Sequence, residues 1–141
     1  MSRRSLRIHT FKLVYQIEFY IIDDLNYFLE NYITRFKVRN HDEISLIKKE
    51  FSGVINNLDS IDKIITKYSK WSIDRLNKID LALLRLALYE IIFEKDISTT
   101  EIIIISEIVD IANNYGDSNS ADFVNGLLAR FIETNYLSYN Y

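Results

Sequence analysis

The sequence predicts an all-α protein, and three observations support that prediction. The 141 residues include no proline and only three glycines, the residue types that break or weaken helix interiors. Apolar residues make up 48% and charged residues 26% of the chain, which is ordinary usage for a globular domain. Apolar residues also recur at spacings of three and four, the period of an amphipathic helix. A collagen-like, linker-rich or hairpin-rich chain is therefore excluded.

The first half of the chain contains four apolar stripes of helical spacing. The polar stretch 37–42 separates the second stripe from the third and ends in Asn40-His41-Asp42, which offers an N-cap. Asp59 or Ser60 is the expected cap between the third and the fourth. The predicted helices are 6–20, 25–36, 44–58 and 61–68.

The second half begins with a capped segment and continues into the most apolar stretch of the chain. Ser72 is a cap candidate, and Asp74 lies in the first turn that follows, where an acid suits the helix dipole. Residues 79–93 are apolar around most of the helical circumference. This helix is therefore predicted to be the most buried one.

Two further helices complete the pattern. Thr100 can cap a helix that runs to about Asn114, and Gly116 fits the left-handed position just past its end. The stretch 117–120 offers several caps for a last helix that ends near Phe131. We expect about seven helices in total.

We expect one domain over residues 1–141, because the sequence has no internal repeat, low-complexity block or interdomain linker. An ordered helical core is predicted over 1–134. Residues 135–141 are predicted to form a frayed tail.

The composition also excludes classes of chemistry. The absence of cysteine removes disulfides, thiolate zinc sites and cysteine nucleophiles. Three isolated glycines cannot form a dinucleotide-binding loop or a P-loop, and no serine lies in a nucleophile elbow. His9 and His41 have no partner at metal-ligand spacing. We therefore expect neither an enzyme nor a bound metal or cofactor.

No segment of the sequence predicts a membrane location. No apolar run approaches the ~18–20 residues that span a bilayer, and the arginine-rich start has no continuous apolar stretch behind it. We therefore expect a cytoplasmic protein without a membrane partner.

The net charge of −3 conceals an asymmetry. Arg3, Arg4, Arg7 and Lys12 lie in the first 15 residues, which contain no acid. The other 13 of the 17 bases stand against 20 acids, a net charge of −7. A basic arm suits phosphate, and an acidic body suits a basic protein partner. The alternative is a solvated helix start with scattered surface charge.

Three blocks of residues form a specific ordered series over about residues 3–132. They are Arg3-Arg4-x-x-Arg7 followed by Val14-Tyr15-Gln16; Trp71-x-x-Asp74-Arg75-Leu76 followed by Ile79-Asp80-x-Ala82-x-Leu84-Arg85-Leu86-Ala87-x-Tyr89-Glu90; and Glu107-x-Val109-x-Ile111-Ala112 followed by Tyr115-Gly116 and Phe123-Val124-Asn125-Gly126-x-Leu128. In this order they resemble the NusB family of transcription antitermination factors.

The sequence departs from the family pattern at several positions. Ile8 stands where the family usually has an acid, and Ser98 stands where it usually has proline. Ser106 replaces an asparagine, and the stretch before it is about two residues longer than usual. These changes affect the entry to the next-to-last helix and leave the closing block intact.

The resemblance implies an all-helical factor of two packed helical subdomains. Such proteins bind the boxA element of nascent RNA together with the small-subunit ribosomal protein NusE. Through that complex they act on RNA polymerase with other Nus factors and support ribosomal RNA transcription.

The residues predicted to bind RNA lie in the arm and before the last helix. Arg3 or Arg4 shares a helix face with Arg7, where guanidinium groups can contact phosphates or stack on bases. The loop Ser118-Asn119-Ser120 precedes a helix N-terminus, a favourable phosphate position, and Phe123 can stack on a base. The alternative for this loop is ordinary capping and core burial.

Tyr15, Asp74 and Asp80 match family positions that face the ribosomal-protein partner. Acids suit a basic protein, and tyrosine is common at interfaces. Asp74 and Asp80 could instead serve as acids near helix starts. Asn125 and Gly126 are interpreted as structural, with another backbone passing close to the glycine.

Two other functions remain open at this point. The first is the RNA-binding domain type found in ribosomal RNA cytosine methyltransferases, here without its catalytic part. The second is a helical protein-binding scaffold without an RNA role. Binding that responds to salt and phosphate competitors would distinguish RNA recognition from that scaffold.

Overall fold

A computed structural model describes residues 2–21, 23–94 and 100–135. Over these residues the chain forms seven α-helices, one short 3₁₀ turn and no strand, so the all-helical prediction is confirmed. The helices are α1 (Arg3–Gln16), α2 (Leu25–Arg35), α3 (His41–Asn56), α4 (Leu58–Ser69), α5 (Lys78–Ile92), α6 (Glu101–Tyr115) and α7 (Ser120–Asn135), and the 3₁₀ turn is Ile73–Arg75.

Helix α5 lies at the centre of the fold. Every residue from Asp80 to Ile91 is buried, as the apolar circumference of this stretch predicts. Helices α1 and α3 pack on α5 and on each other, and α2 packs on α3. Helices α4, α6 and α7 also pack on α5. The two predicted subdomains are therefore α1–α3 and α4–α7, which meet along α5.

Side-chain caps define several of the helix starts. Asn40 accepts hydrogen bonds from the amides of Asp42 and Glu43 at 2.9 and 3.1 Å. Asn77 accepts one from Ile79 at 2.8 Å, and Thr100 caps α6 as predicted. Such caps satisfy amides that have no partner within the helix.

Three predicted boundaries are wrong. Helix α1 ends at Gln16 instead of about Tyr20. Asp59 and Ser60 lie inside α4, because only Asn57 separates α3 from α4. Ser72 precedes a 3₁₀ turn and makes no side-chain cap bond. The unusual Ser98 and the predicted tail beyond Asn135 lie outside the described residues.

The glycines have roles other than those predicted. Gly116 has φ −90° and ψ −173°, an extended conformation and not the left-handed one. A Cβ there would collide with the Ser120 side chain and lie 2.8 Å from the Ala112 carbonyl oxygen, so close approach requires the glycine. At Gly126 the predicted close backbone is wrong, because the nearest atom to an added Cβ is Arg130 Nη1 at 3.3 Å.

Gly53 packs closely against the aromatic ring of Tyr89. A Cβ at this position of α3 would overlap the ring of Tyr89 on α5. Tyr89 is only 5% exposed, and its ring stacks on Phe93 with centroids 6.0 Å apart. The α3–α5 spacing therefore depends on the missing side chain.

None of the described helices combines the length and the apolar character needed to cross a bilayer.

We predict that Gly53→Ala destabilises the protein by about 1–3 kcal/mol, because overpacking forces the buried Tyr89 ring or the helices apart. Gly126→Ala is the matched control. It adds the same methyl group beside a movable guanidinium and removes a mid-helix glycine, which can stabilise by up to ~1 kcal/mol. Urea unfolding monitored by circular dichroism measures both variants. Equal stability of the two would contradict the α3–α5 contact.

Candidate nucleic-acid and partner interface

The Arg7 side chain is a structural element in this fold. It is 3% exposed, and it donates to the Glu90 carboxylate through Nε at 3.0 Å and Nη2 at 3.0 Å. A buried guanidinium that forms a fork with a carboxylate is a charge-assisted pair. Arg7 therefore joins α1 to α5, and its burial leaves little of the guanidinium accessible to a phosphate.

Arg3 lies among three acids. Its Nη2 is 3.0 Å from Glu50 Oε2, 2.8 Å from Glu90 Oε1 and 3.5 Å from Glu94 Oε1. Its side chain remains 36% exposed. Arg3 is thus accessible to a ligand, and a phosphate would compete with these carboxylates for it.

Two of the acids around Arg3 are placed to share a proton. Glu50 Oε1 and Glu94 Oε2 are buried and find no donor among the described groups when both carboxyls are ionised. Burial, then the charge of Glu90 and a hydrogen bond with Glu94, raise the pKa of Glu50 to about 9. Glu50 is therefore protonated at neutral pH, and one proton satisfies both oxygens.

The same acids, Glu50, Glu90 and Glu94, have oxygen atoms within 4.8 Å of one another, a spacing that could hold a cation. The guanidiniums of Arg3 and Arg7 contact this cluster and supply its positive charge. The arrangement is an ion-pair network that fixes the arm.

Arg4 points to a different helix. Its Nε is 2.9 Å from Glu107 Oε2 and its Nη2 is 2.8 Å from Asp110 Oδ2, both on α6. The side chain is 46% exposed, and exposed pairs of this kind contribute little to stability. Each of the three predicted arm arginines therefore has an acidic partner in the body.

The loop before α7 separates into exposed and buried positions. Ser118 and Asn119 are exposed, and the amide of Asn119 donates to Asp117 Oδ1 at 2.8 Å. Ser120 is fully buried, and its Oγ accepts from the Asp117 amide at 3.0 Å. Phe123 is half-buried against the core. Ser120 thus shapes the loop, whereas Ser118 and Asn119 can meet a ligand.

The predicted partner residues also differ in their exposure. Asp74 is exposed in the 3₁₀ turn, and Tyr15 is half-buried. Asp80 is 6% exposed, and its Oδ1 has no hydrogen-bond donor among the described groups. Burial raises the pKa of Asp80, and the charge of Asp117 raises it further, against a hydrogen bond with Ser120. Direct contact through Asp80 therefore requires the partner to reach a buried carboxylate.

The fold brings the loop and Tyr15 to one end of the molecule. Asn77 Nδ2 is 3.4 Å from Asp117 Oδ2, which places the start of α5 beside the loop. Tyr15 is about 18 Å along α1 from Arg3, so the arm lies at the other end of α1. A groove of about 310 Å³ is lined by Phe11, Lys12, Tyr15, Gln16, Phe36, Ile79 and Tyr115.

Sequence reasoning missed Phe36 and Tyr115 in this groove. Phe36 is 41% exposed and Tyr115 is 40% exposed. Phe36 is the C-cap of α2, and Tyr115 is the last residue of α6. The sequence assigned Phe36 to the apolar stripe 25–36 and Tyr115 to the closing block, but the exposure of both rings depends on how the helices pack.

Fold and site define an all-helical protein of two subdomains around one buried helix, with exposed aromatic and charged side chains. A family model described as the NusB family matches residues 4–133. The transcription antitermination protein NusB of Acetivibrio thermocellus is 35% identical over 98% of this chain and 93% of its own length.

Solved structures agree with that match. A structure of Thermotoga maritima NusB has a TM-score of 0.83 and 36% identity, covering 94% of this chain and 92% of its own. A structure of NusB and NusE in complex with double-stranded RNA has a TM-score of 0.82 and 26% identity, covering 94% and 96%. The chain belongs to the NusB family.

We predict that Arg7→Gln and Arg4→Gln differ in their effects on stability. Arg7→Gln removes the two hydrogen bonds that the guanidinium donates to the buried Glu90 carboxylate. It should therefore lower the free energy of unfolding by ~3–5 kcal/mol. Arg4→Gln removes exposed pairs only and should leave the melting temperature nearly unchanged. Thermal and urea unfolding test this pair, and equal losses would contradict the structural role of Arg7.

We predict that Glu50 makes folding stability depend on pH. Its folded pKa lies above its ordinary value of 4.5, so the stabilising contribution is fully present below pH 4.5 and is lost as the pH rises to about 9. In Glu50→Gln the side chain cannot ionise, so the free energy of unfolding should fall less steeply with pH. The slope should differ from that of the unmodified protein by at most ~1.4 kcal/mol per pH unit. Urea unfolding across this pH range measures it.

Glu30→Gln is the control for that experiment, because Glu30 is 60% exposed on α2. Its stability profile should follow that of the unmodified protein. A Glu50→Gln profile that also runs parallel to the unmodified one would contradict the shared proton.

Proposed function

We propose that this protein is a transcription antitermination factor that binds boxA-type single-stranded RNA together with the ribosomal protein NusE. In this role it acts on RNA polymerase with other Nus factors, in the cytoplasm, and supports ribosomal RNA transcription. The observation that carries the proposal is the end of the molecule where loop 117–119, Tyr15 and the start of α5 come together. The similar structure that contains NusE and an RNA duplex supports both ligand classes.

The RNA contacts are assigned according to accessibility. Arg3 and Arg4 are more than one third exposed, and Ser118 and Asn119 are exposed before α7. These positions can meet phosphates through guanidinium groups, side-chain donors or the N-terminus of α7. Phe123 supports the loop from a half-buried position and can stack on a base only at its exposed edge.

Arg7 and Ser120 support that surface from buried positions. Arg7 fixes the arm on Glu90, and Ser120 fixes the loop on Asp117. Replacing either one alters RNA binding through the position of its neighbours. Their side chains need not touch RNA.

The partner surface is assigned to Tyr15 and Asp74, with Asp80 behind them. Carboxylates suit a basic ribosomal protein, and Tyr15 offers an aromatic face beside Phe19, with ring centroids 5.0 Å apart. Outside the four bases of the first 15 residues the chain has a net charge of −7, which repels RNA. A basic partner would neutralise part of this charge and add phosphate contacts.

We predict that RNA and the ribosomal protein bind cooperatively. RNA affinity should rise when the partner is present, with a coupling of ~1–3 kcal/mol, and partner affinity must rise by the same factor when RNA is present. Fluorescence titration of boxA RNA, with and without partner, measures the coupling. Equal RNA affinities in the two titrations would remove the cooperative complex and favour a lone RNA binder or a scaffold.

Asp74→Lys should weaken partner binding, because it places like charge against a basic surface. It should therefore reduce RNA binding mainly when the partner is supplied. Glu133→Lys, an exposed charge reversal at the far end of α7, is the matched control and should behave like the unmodified protein. Equal effects of the two variants would contradict the partner surface.

A further inference from the structure

A group of cations beside the aromatic groove has no acidic partner among the residues that the structure describes. Lys12, Arg35, Lys37 and Arg39 form no ion pair within the ranges 2–21, 23–94 and 100–135. The arm arginines, in contrast, all contact carboxylates. Among the described residues, cations without an acidic partner therefore lie outside the arm, and four of them are grouped around Phe36.

Two of these cations lie on aromatic rings. Lys12 Nζ is 5.6 Å from the centroid of Phe36 and 5.8 Å from that of Tyr115. The guanidinium carbon of Arg35 is 5.8 Å from the Phe36 centroid. The rings thus remain partly open to solvent while cations surround them. We call Lys12, Arg35, Phe36, Lys37, Arg39 and Tyr115 the aromatic–cationic shelf.

The loop after α2 holds the outer part of the shelf in place. Val38 is 5% exposed, and its amide donates to the Ile33 carbonyl at 3.1 Å. Lys37, with φ 56°, and Arg39 flank this anchor and are exposed. The anchored Val38 therefore leaves two cations facing solvent next to Phe36.

The shelf adjoins the loop of the proposed RNA site. Tyr115 ends α6, and Ser118 and Asn119 follow it within four residues. The nearby acids are Asp42 and Glu43 in the first turn of α3, where the charge of Glu43 reaches His9, and Asp117 in the adjoining loop. The four cations outnumber these three acids, so the shelf keeps a net positive charge.

We infer that the aromatic–cationic shelf is a second contact surface for single-stranded RNA, continuous with loop 117–119. Its cations bind phosphates, and its two rings stack on bases, which is the combination that single-strand binders use. A basic ribosomal protein is repelled by the exposed cations Lys37 and Arg39, so RNA is the favoured occupant of this side of the groove, and the partner contact at Tyr15 lies on its other side. The inference rests on the proposed RNA-binding function and adds a surface to it.

The test uses the double substitution Lys37→Gln and Arg39→Gln in the full chain. Both side chains are exposed and form no ion pair with a described residue, so the melting temperature should not change. The double variant Lys63→Gln and Lys67→Gln, on the exposed side of α4, is the charge-matched control. Each protein is titrated with labelled boxA RNA and with oligouridine over a range of salt concentrations, with and without the ribosomal protein.

The shelf variant should lower the log–log salt slope by about 1.4, which is ~0.7 for each lost single-strand phosphate contact. Phe36→Leu keeps apolar volume and removes the stacking ring, so it should weaken both RNAs about fivefold. The loss should occur with oligouridine as well, because phosphate and stacking contacts do not depend on sequence.

The outcomes separate this inference from the proposed function. Equal slopes for the shelf variant and the α4 control, with RNA binding intact, overturn the shelf and leave the proposed function standing. Loss of ribosomal-protein binding with unchanged RNA binding makes the shelf a protein interface and also overturns the inference. Absence of RNA binding by the unmodified protein, with and without partner, overturns both.

Discussion

The structure depends on the burial of charge on α5. A helix enclosed on every side cannot keep an unpaired charge without a large desolvation cost. Glu90 is 2% exposed and takes its partners from α1. Arg85 is 3% exposed and takes Asp62 from α4 at 2.8 and 2.9 Å, and Glu18 from the segment after α1. These two buried charges therefore tie α1, the segment after it and α4 to α5.

This constraint also decides which basic residues can bind RNA. The arm is basic in sequence, but its guanidiniums compensate acids on α5 and α6 in the fold. A phosphate must therefore displace or share these partners, which weakens the arm as an isolated binding element. The cations near Phe36 form no ion pair with a described residue, so a phosphate need not displace a carboxylate there. Local charge, and not the charge of a sequence segment, sets the affinity for a polyanion.

The sequence predicted the helices well because their stabilisation is periodic and local. The apolar circumference of 79–93 correctly predicted the central helix, and Thr100 correctly predicted a cap. The ion pairs of Arg3 could not be predicted, because Glu50 and Glu90 come from distant helices. Burial of Asp80 and Ser120 likewise depends on how the start of α5 meets the loop before α7. The predictions for Gly116 and Gly126 were wrong because they assumed a left-handed backbone at the first and a close backbone at the second. In the fold, the side chains of Ser120 and Arg130 are the nearest neighbours of these two positions.

The joint at Asn57 has a mechanical consequence. Helix α3 belongs to one subdomain and α4 to the other, and Asn57 alone separates them. Its side-chain amide donates to the Gly53 carbonyl at 2.8 Å, which ties the joint to the end of α3. With so short a connection, the two subdomains cannot reorient freely relative to each other. A ligand that spans both halves therefore meets a preorganised surface and loses little binding free energy to ordering the protein.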